Sequence, residues 1–272
     1  MDIAQLWITQ KPIDKFLSTI VDEYFYLDTT LEELKLVGEE YMFPFPRITF
    51  GYFFNHPFLV TNHTQNQELS KDMIISRIST DHITVRPQSE KIKILGAHVQ
   101  PYCLAYYTNE PIHQLPWLIN TQDLFNMNAI SFKNKINTIS DPAQMFEEIE
   151  NIFLENILIR DLSLITQLVR TIHQHQGQIQ IKDLAIQFQV SERTIRSHFN
   201  KHIGCSPKEY IRLVKIRQIA FQMKHSNDSL SNITYENEYF DQSHFIHEIK
   251  NITGKSPGEL KKEIHSFRFL QF

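Results

Sequence analysis

Apolar and polar positions change their period partway along the chain. Between Arg47 and Tyr107 the apolar residues fall in short runs, "RITFGYFF", "FLVTN", "DMIISRIS", "HITVRP" and "IKILGAHV", rich in β-branched and aromatic side chains and separated by turn residues. This pattern predicts a small β-barrel or sandwich. Upstream, "IDKFLSTIVDEYFYLDTTLEELKLVGEE" reads as a segment that begins or ends in helix, with its aromatic run leaving the type open. Downstream, "DPAQMFEEIENIFLENILI" sets Phe146, Ile149, Phe153 and Ile157 along one helical stripe capped by Asp141-Pro142, a pattern that more often forms domain core than subunit contact.

Beyond residue 180 the period is helical and it repeats. At an offset of 50 residues, "VSERTIRSHFNKHIGCSPKEY" overlays "FDQSHFIHEIKNITGKSPGEL": Ser191 falls on Asp241, Ile195 on Phe245, Phe199 on Ile249, Gly204 on Gly254, Ser206-Pro207 on Ser256-Pro257 and Glu209 on Glu259. Each copy predicts a Ser or Asp N-cap, a helix with an apolar stripe, and a glycine where the helix ends in the left-handed conformation. A second helix then starts with S-P-x-E, a capping box with proline at its first position. A short helix precedes each copy, with Leu184, Ala185 and Phe188 on the apolar side of the first and Ile233 and Tyr235 on that of the second. The arrangement describes two helix-turn-helix units. Between them "SPKEYIRLVKIRQIAFQMK" keeps Tyr210, Leu213, Val214, Ile216 and Ala220 at helical spacing, and roughly 18 residues at 1.5 Å each reach about 27 Å. That approaches the turn of B-DNA, so one chain can present two helices to successive major grooves.

Composition divides the chain in the same place. The whole carries a net charge of −4, but residues 1–156 hold 11 Lys and Arg against 20 Asp and Glu, whereas residues 157–272 hold 16 against 11. An acidic module is joined to a basic one, and the basic one suits a polyanion. No basic segment followed by an apolar run opens the chain and no stretch of 18 apolar residues occurs, which points to a cytosolic location. The two cysteines, Cys103 and Cys205, lack C-x-x-C spacing and read as reduced thiols.

"VSERTIRSHFNKHIGCSPKEYIRLVKIRQIA" and "YFDQSHFIHEIKNITGKSPGEL" resemble the tandem helix-turn-helix domain of AraC/XylS-type bacterial transcription regulators, whose repeated pattern has the form Ser-x-Arg-x-Leu, Phe, Gly-x-Ser-Pro. The resemblance implies binding to double-stranded promoter DNA through the start and outer face of one helix per unit. By position this falls on Arg193, Arg196 and Ser197 in the first unit and on Gln242, Ser243 and His247 in the second. Arginine is frequent in relatives where Ser197 and His247 stand here, and glycine where Glu238 stands, so the second unit is expected to read more weakly and with pH sensitivity, and the turn either to carry some strain at Glu238 or to pass through Asn237 instead. "ILGAHVQPYCLAYYTNEPIHQLPWLINTQDLF" further resembles the sensory domain of one branch of these regulators. That likeness implies a small-molecule effector and a homodimer; the regulator resemblance adds RNA polymerase as a partner, and no membrane partner is expected where no apolar run is long enough to span one.

A helical wheel supports the assignment independently. With Ile195 at zero, Phe199 lies at about 40° while Arg193, Ser197 and Asn200 lie at about 140–200°, away from the core. Lys201, Arg212, Lys215 and Lys250 are the candidates for phosphate contacts. In "HFIHE", His244 and His247 repeat Thr194 and Ser197, which are poor ligands, so the stretch reads as a DNA-facing helix and not as a metal site.

The fold expected is therefore α+β with two domains: a β-rich, cupin-like barrel or sandwich with helices at 1–156 for sensing and dimerisation, and an all-α domain at 157–272 whose two helix-turn-helix units are joined by a long helix. Tyr52, Phe53, Phe54, Phe58, Tyr102, Tyr106 and Tyr107 could line an effector pocket, although an aromatic core is the stronger reading. Two enzymatic alternatives are weaker. A metal-dependent cupin-like enzyme would draw on His56, His63, His82 and His98, which lack ligand spacing, and a DNA-repair alkyl acceptor would need an activated Cys103, which has only apolar neighbours. No cofactor, metal or catalytic residue is expected. Activation and repression are equally compatible with the sequence.

Overall fold

The computed structural model describes residues 3–55, 57–239 and 241–267, with the side chains of residues 3 and 4 left aside. His56 lies outside the described residues. The N-terminal region folds into two antiparallel sheets built from β1 (Ile8–Gln10), β2 (Val21–Thr30), β3 (Glu40–Met42), β4 (Ile48–Tyr52), β5 (Phe58–Asn62), β6 (Gln67–Lys71), β7 (Met73–Ser76), β8 (Ile83–Pro87), β9 (Lys91–Val99) and β10 (Leu118–Asn120). One sheet runs β1-β2-β9-β4-β7-β10 and the other β3-β8-β5-β6. All five apolar runs between Arg47 and Tyr107 coincide with strands.

In the segment before them the aromatic run, whose type the sequence left open, is strand, and short helix stands near each end. β2 is ten residues long, and helix is confined to α1 (Leu31–Leu34) and a turn of 3-10 helix at Leu17–Thr19. Tyr24 and Tyr26 face one hydrophobic core while Phe25 and Leu27 face another. A strand buried on both faces has no polar alternation to announce it.

Helices α2 (Thr121–Phe125), α3 (Met127–Ile136) and α4 (Pro142–Glu155) cover one face of the larger sheet. In α4 the Asp141 carboxylate accepts from the Ala143 N–H, and Phe146, Ile149 and Phe153 are buried, Phe146 stacked on Tyr24 at 5.8 Å. The stripe is domain core, as its pattern suggested. Ile157 lies beyond the end of the helix and packs on the core from the following segment.

The remaining helices are α5 (Ser163–Gln174), α6 (Ile181–Phe188), α7 (Glu192–His202), α8 (Pro207–His225), α9 (Leu230–Glu236), α10 (Gln242–Thr253) and α11 (Pro257–Glu263). The two helix-turn-helix units are α6–α7 and α9–α10, and α8 joins them with 19 residues, roughly 28 Å at 1.5 Å each. The hydrophobic core continues from the larger sheet into these helices. At that junction the buried Tyr210 hydroxyl donates to the Pro46 carbonyl at 3.1 Å. No helix among the described residues is long and apolar enough to cross a membrane.

Candidate nucleic-acid interface

Both α7 and α10 are started by the cap that their sequence supplies. Ser191 Oγ accepts from the Thr194 N–H at 3.0 Å, and Asp241 Oδ1 accepts from the His244 N–H at 2.7 Å. The helix after each is started by a full capping box, Ser206 with Glu209 and Ser256 with Glu259. The turns before α7 and α10 both use a left-handed residue that is not glycine, Gln189 at φ 54° and Glu238 at φ 53°. The second turn therefore passes through Glu238, with Asn237 at φ −95°. Those two residues are 49 apart while the caps are 50 apart, so the second turn is longer by one residue.

The inward stripes are Ile195 and Phe199 in α7 and Phe245, Ile249 and Ile252 in α10, all buried. This leaves Arg193, Arg196, Ser197, Asn200 and Lys201 exposed on the first unit and Gln242, Ser243, His247 and Lys250 exposed on the second. Arg196 is paired along its helix with Glu192 at 2.6 Å, Gln242 Nε2 donates to Ser231 Oγ at 2.9 Å, and His247 lies 3.1 Å from the Asn251 amide.

Arg212 and Lys215 sit differently. Arg212 Nε donates to Glu248 Oε1 at 2.8 Å, tying α8 to α10, and Lys215 Nζ stands 3.8 Å from the centre of the Tyr239 ring. Burial lowers the Lys215 pKa, with Glu248 and Glu238 opposing the shift. The pairing with Arg212 also occupies the glutamate of "HFIHE". In α9 Tyr235 is exposed, so the apolar side foreseen for it belongs to Ile233, with Thr234 and Asn237 buried beside it.

Both α7 and α10 end against the β-rich region. A side chain on Gly204 would meet Ile112 Cγ2 at 2.8 Å and Arg77 Cδ at 3.1 Å, and one on Gly254 would meet His82 Cδ2 at 3.9 Å. Arg77 Nη1 donates to the carbonyls of Ile112 and His113, and His113 Nδ1 donates to the Asn200 carbonyl at 3.1 Å.

Between the two sheets lies a cavity of about 220 Å³. Its walls are largely apolar, with Trp7, Phe53, Phe58 and Trp117 among them, and it also receives Tyr41, Arg47 and Arg77. Burial pushes the Arg47 guanidinium down to about 10, and Asp22 opposes the shift. Of the aromatic residues considered for a pocket, Phe53 and Phe58 line it, while Tyr52, Phe54, Tyr102 and Tyr107 fill the core. Tyr41, Arg77 and the tryptophans were missed because they come from separate segments. The one signal was Arg77 itself, a charge within the apolar run "MIISRIS".

The residues of the enzymatic alternatives are dispersed or inert. The ring centres of His63 and His82 lie 4.8 Å apart, whereas His98 packs on Phe25 with Thr49 3.3 Å from its Nδ1. Cys103 is buried, and burial pushes its thiol far up, away from a reactive thiolate. No group of three or more His, Cys, Asp or Glu able to hold a metal occurs among the described residues.

A family described as a helix-turn-helix domain matches residues 184–263. A helix-turn-helix-type transcriptional regulator of Haemophilus influenzae is 26% identical over 177 residues, 63% of this chain and 59% of that one. The transcriptional activator RhaS of Escherichia fergusonii is 32% identical over 82 residues, 29% and 28% of the two chains. The matches thus span less than two thirds of these relatives' own length. ToxT of Vibrio cholerae has a similar fold, with a TM-score of 0.51 at 10% identity over 89% of this chain and 98% of that one. A second ToxT structure, bound to (E)-4-(8-methylnaphthalen-1-yl)but-3-enoic acid, gives 0.51 at 9% identity over 88% and 99%. The duplicated units, with their caps and outward faces, thus lie in the residues that match the helix-turn-helix domain family, and the fold as a whole is similar to that of ToxT.

Proposed function

We propose that residues 157–272 bind promoter DNA in a sequence-specific way, with α7 and α10 in successive major grooves, and that residues 1–156 sense a small effector in the cavity between the sheets. The carrying observation is the duplicated unit: two capped helices with buried inner stripes and polar outer edges, joined by one helix of about a DNA turn's reach. Arg193, Arg196, Ser197 and Asn200 form the first reading edge and Gln242, Ser243 and His247 the second. Arg can bond guanine bidentately and Asn and Gln can bond adenine, while Lys201 and Lys250 suit phosphate. Arg212 and Lys215 hold α8 against the second unit and act on DNA through that placement.

The effector reading draws on the apolar walls and the two guanidinium groups, which suit an apolar organic acid. The acid bound by ToxT is of that class. The tests are selection of sites from random duplexes, then measurement of affinity against salt. Binding should fall steeply between 50 and 200 mM salt, and Arg193→Ala should weaken it by about 10- to 100-fold. Recovery of no preferred sequence would remove the specific-binding reading.

A further inference from the structure

Two buried hydrogen-bonding groups on residues that line the cavity have no partner among the described residues: Nε of Arg77 and the hydroxyl of Tyr41. Buried donors of this kind are ordinarily satisfied, so a ligand with an acceptor group fits them. The same two residues also lead out of the cavity to the two helix-turn-helix units. Arg77 lies against Gly204 and holds the Ile112 and His113 carbonyls, and His113 in turn donates to the last turn of α7 at Asn200. The Tyr41 ring lies 5.2 Å from that of His82, which sits beside Gly254 at the end of α10, and Lys255 Nζ lies 5.8 Å from the Tyr41 ring. Gly204 and Gly254 are equivalent positions of the repeat, so each unit is linked at the same point to a cavity-lining residue that carries an unsatisfied donor, the first directly to Arg77 and the second to Tyr41 through His82.

We propose that Arg77 and Tyr41 are the residues that recognise the acid group of the effector and transmit its presence, Arg77 to the first helix-turn-helix unit and Tyr41, through His82, to the second. This rests on the effector reading above and adds to it the atoms and the two routes. A carboxylate accepting from Arg77 Nε and from the Tyr41 hydroxyl draws the segments bearing Arg77 and Tyr41 toward the cavity. That movement alters the seats of Gly204 and Gly254, and with them the separation of α7 and α10. A neutral alcohol of the same length fills the apolar walls without that pull.

Decanoate and decanol are the probes, applied to the full chain. The only two tryptophans, Trp7 and Trp117, both line the cavity, so their fluorescence reads occupancy without DNA. Decanoate should bind at least about tenfold more tightly than decanol, and Arg77→Gln should remove that advantage. Hydrogen exchange reads the routes: decanoate should change protection at residues 200–206 and 252–256 in the wild type. Arg77→Gln should abolish the first change, and Tyr41→Phe, which keeps the ring on His82, the second. Arg77→Lys keeps the charge without Nε and serves if Arg77→Gln lowers the thermal midpoint. Equal binding of acid and alcohol, no binding of either, or changes that survive their respective substitutions would each overturn the proposal. Loss of site-specific DNA binding with these responses intact would instead refute the regulator reading and leave this one standing.

Discussion

Basic residues of the C-terminal half are not interchangeable, and stability can be separated from DNA affinity one residue at a time. Arg193 is exposed, so Arg193→Ala should leave the urea midpoint unchanged while weakening DNA binding. Arg212→Ala strands Glu248, whose side chain is only 12% exposed, and should cost about 1–3 kcal/mol of stability. Denaturation and binding curves on the two variants check the contrast, and equal stability in both would remove the brace assigned to Arg212. His202 adds a pH term. Burial lowers its pKa to about 4, with His198, Lys201 and Arg160 adding to the shift. Its ordinary value is 6.5, so between those limits the unfolded chain binds more protons and stability is lost as pH falls. By pH 5 the loss should be on the order of 2 kcal/mol relative to pH 7.5. His202→Leu should remove that share of the decline, measured by urea unfolding at the two pH values.

Glycine and its substitutes decide how the elements end. Glu238 holds a left-handed turn at φ 53° that a glycine would adopt without strain, so Glu238→Gly should stabilise the fold by about 1 kcal/mol. Gly204→Ala should destabilise by about 1–3 kcal/mol, because its new methyl meets Ile112 at 2.8 Å. Gly254→Ala, with its nearest neighbour at 3.9 Å, carries only the backbone penalty, and thermal midpoints should rank the three accordingly. This is also the scale at which the sequence was most legible. Caps, capping boxes and inward stripes are local, so the 50-residue repeat announced both units, and the wheel oriented Ile195 and Phe199 correctly, with Phe245 following from the repeat. β2 was obscured because Tyr24 and Phe25 fall into cores on opposite faces, and Tyr235 because an aromatic in a short helix carries no sign of which side it faces. The cavity was beyond reach for another reason: Tyr41, Arg77 and Trp117 converge only when the two sheets close.

At the scale of the whole molecule, α7 and α10 are fixed within one chain, which distinguishes the proposed pair of DNA-reading helices from two separately tethered readers. α8 spans roughly 28 Å, and its Tyr210 is anchored in the shared core by the Pro46 carbonyl. The ends of α7 and α10 rest on the β-rich region at Gly204 and Gly254. On a selected site, moving the two half-sites apart by about half a helical turn, ~5 base pairs, turns one of them to the opposite side of the duplex. Moving them by a full turn, ~10 base pairs, restores the side but adds about 34 Å, more than the length of α8. Both insertions should therefore reduce affinity to that of an isolated half-site, with a shallower dependence on salt because fewer phosphates are engaged. Two readers on flexible tethers would recover at the full-turn insertion, so binding isotherms on the three duplexes discriminate between them. Recovery at the full turn would show that the two reading edges lie in different subunits, and that α8 does not set the distance between them.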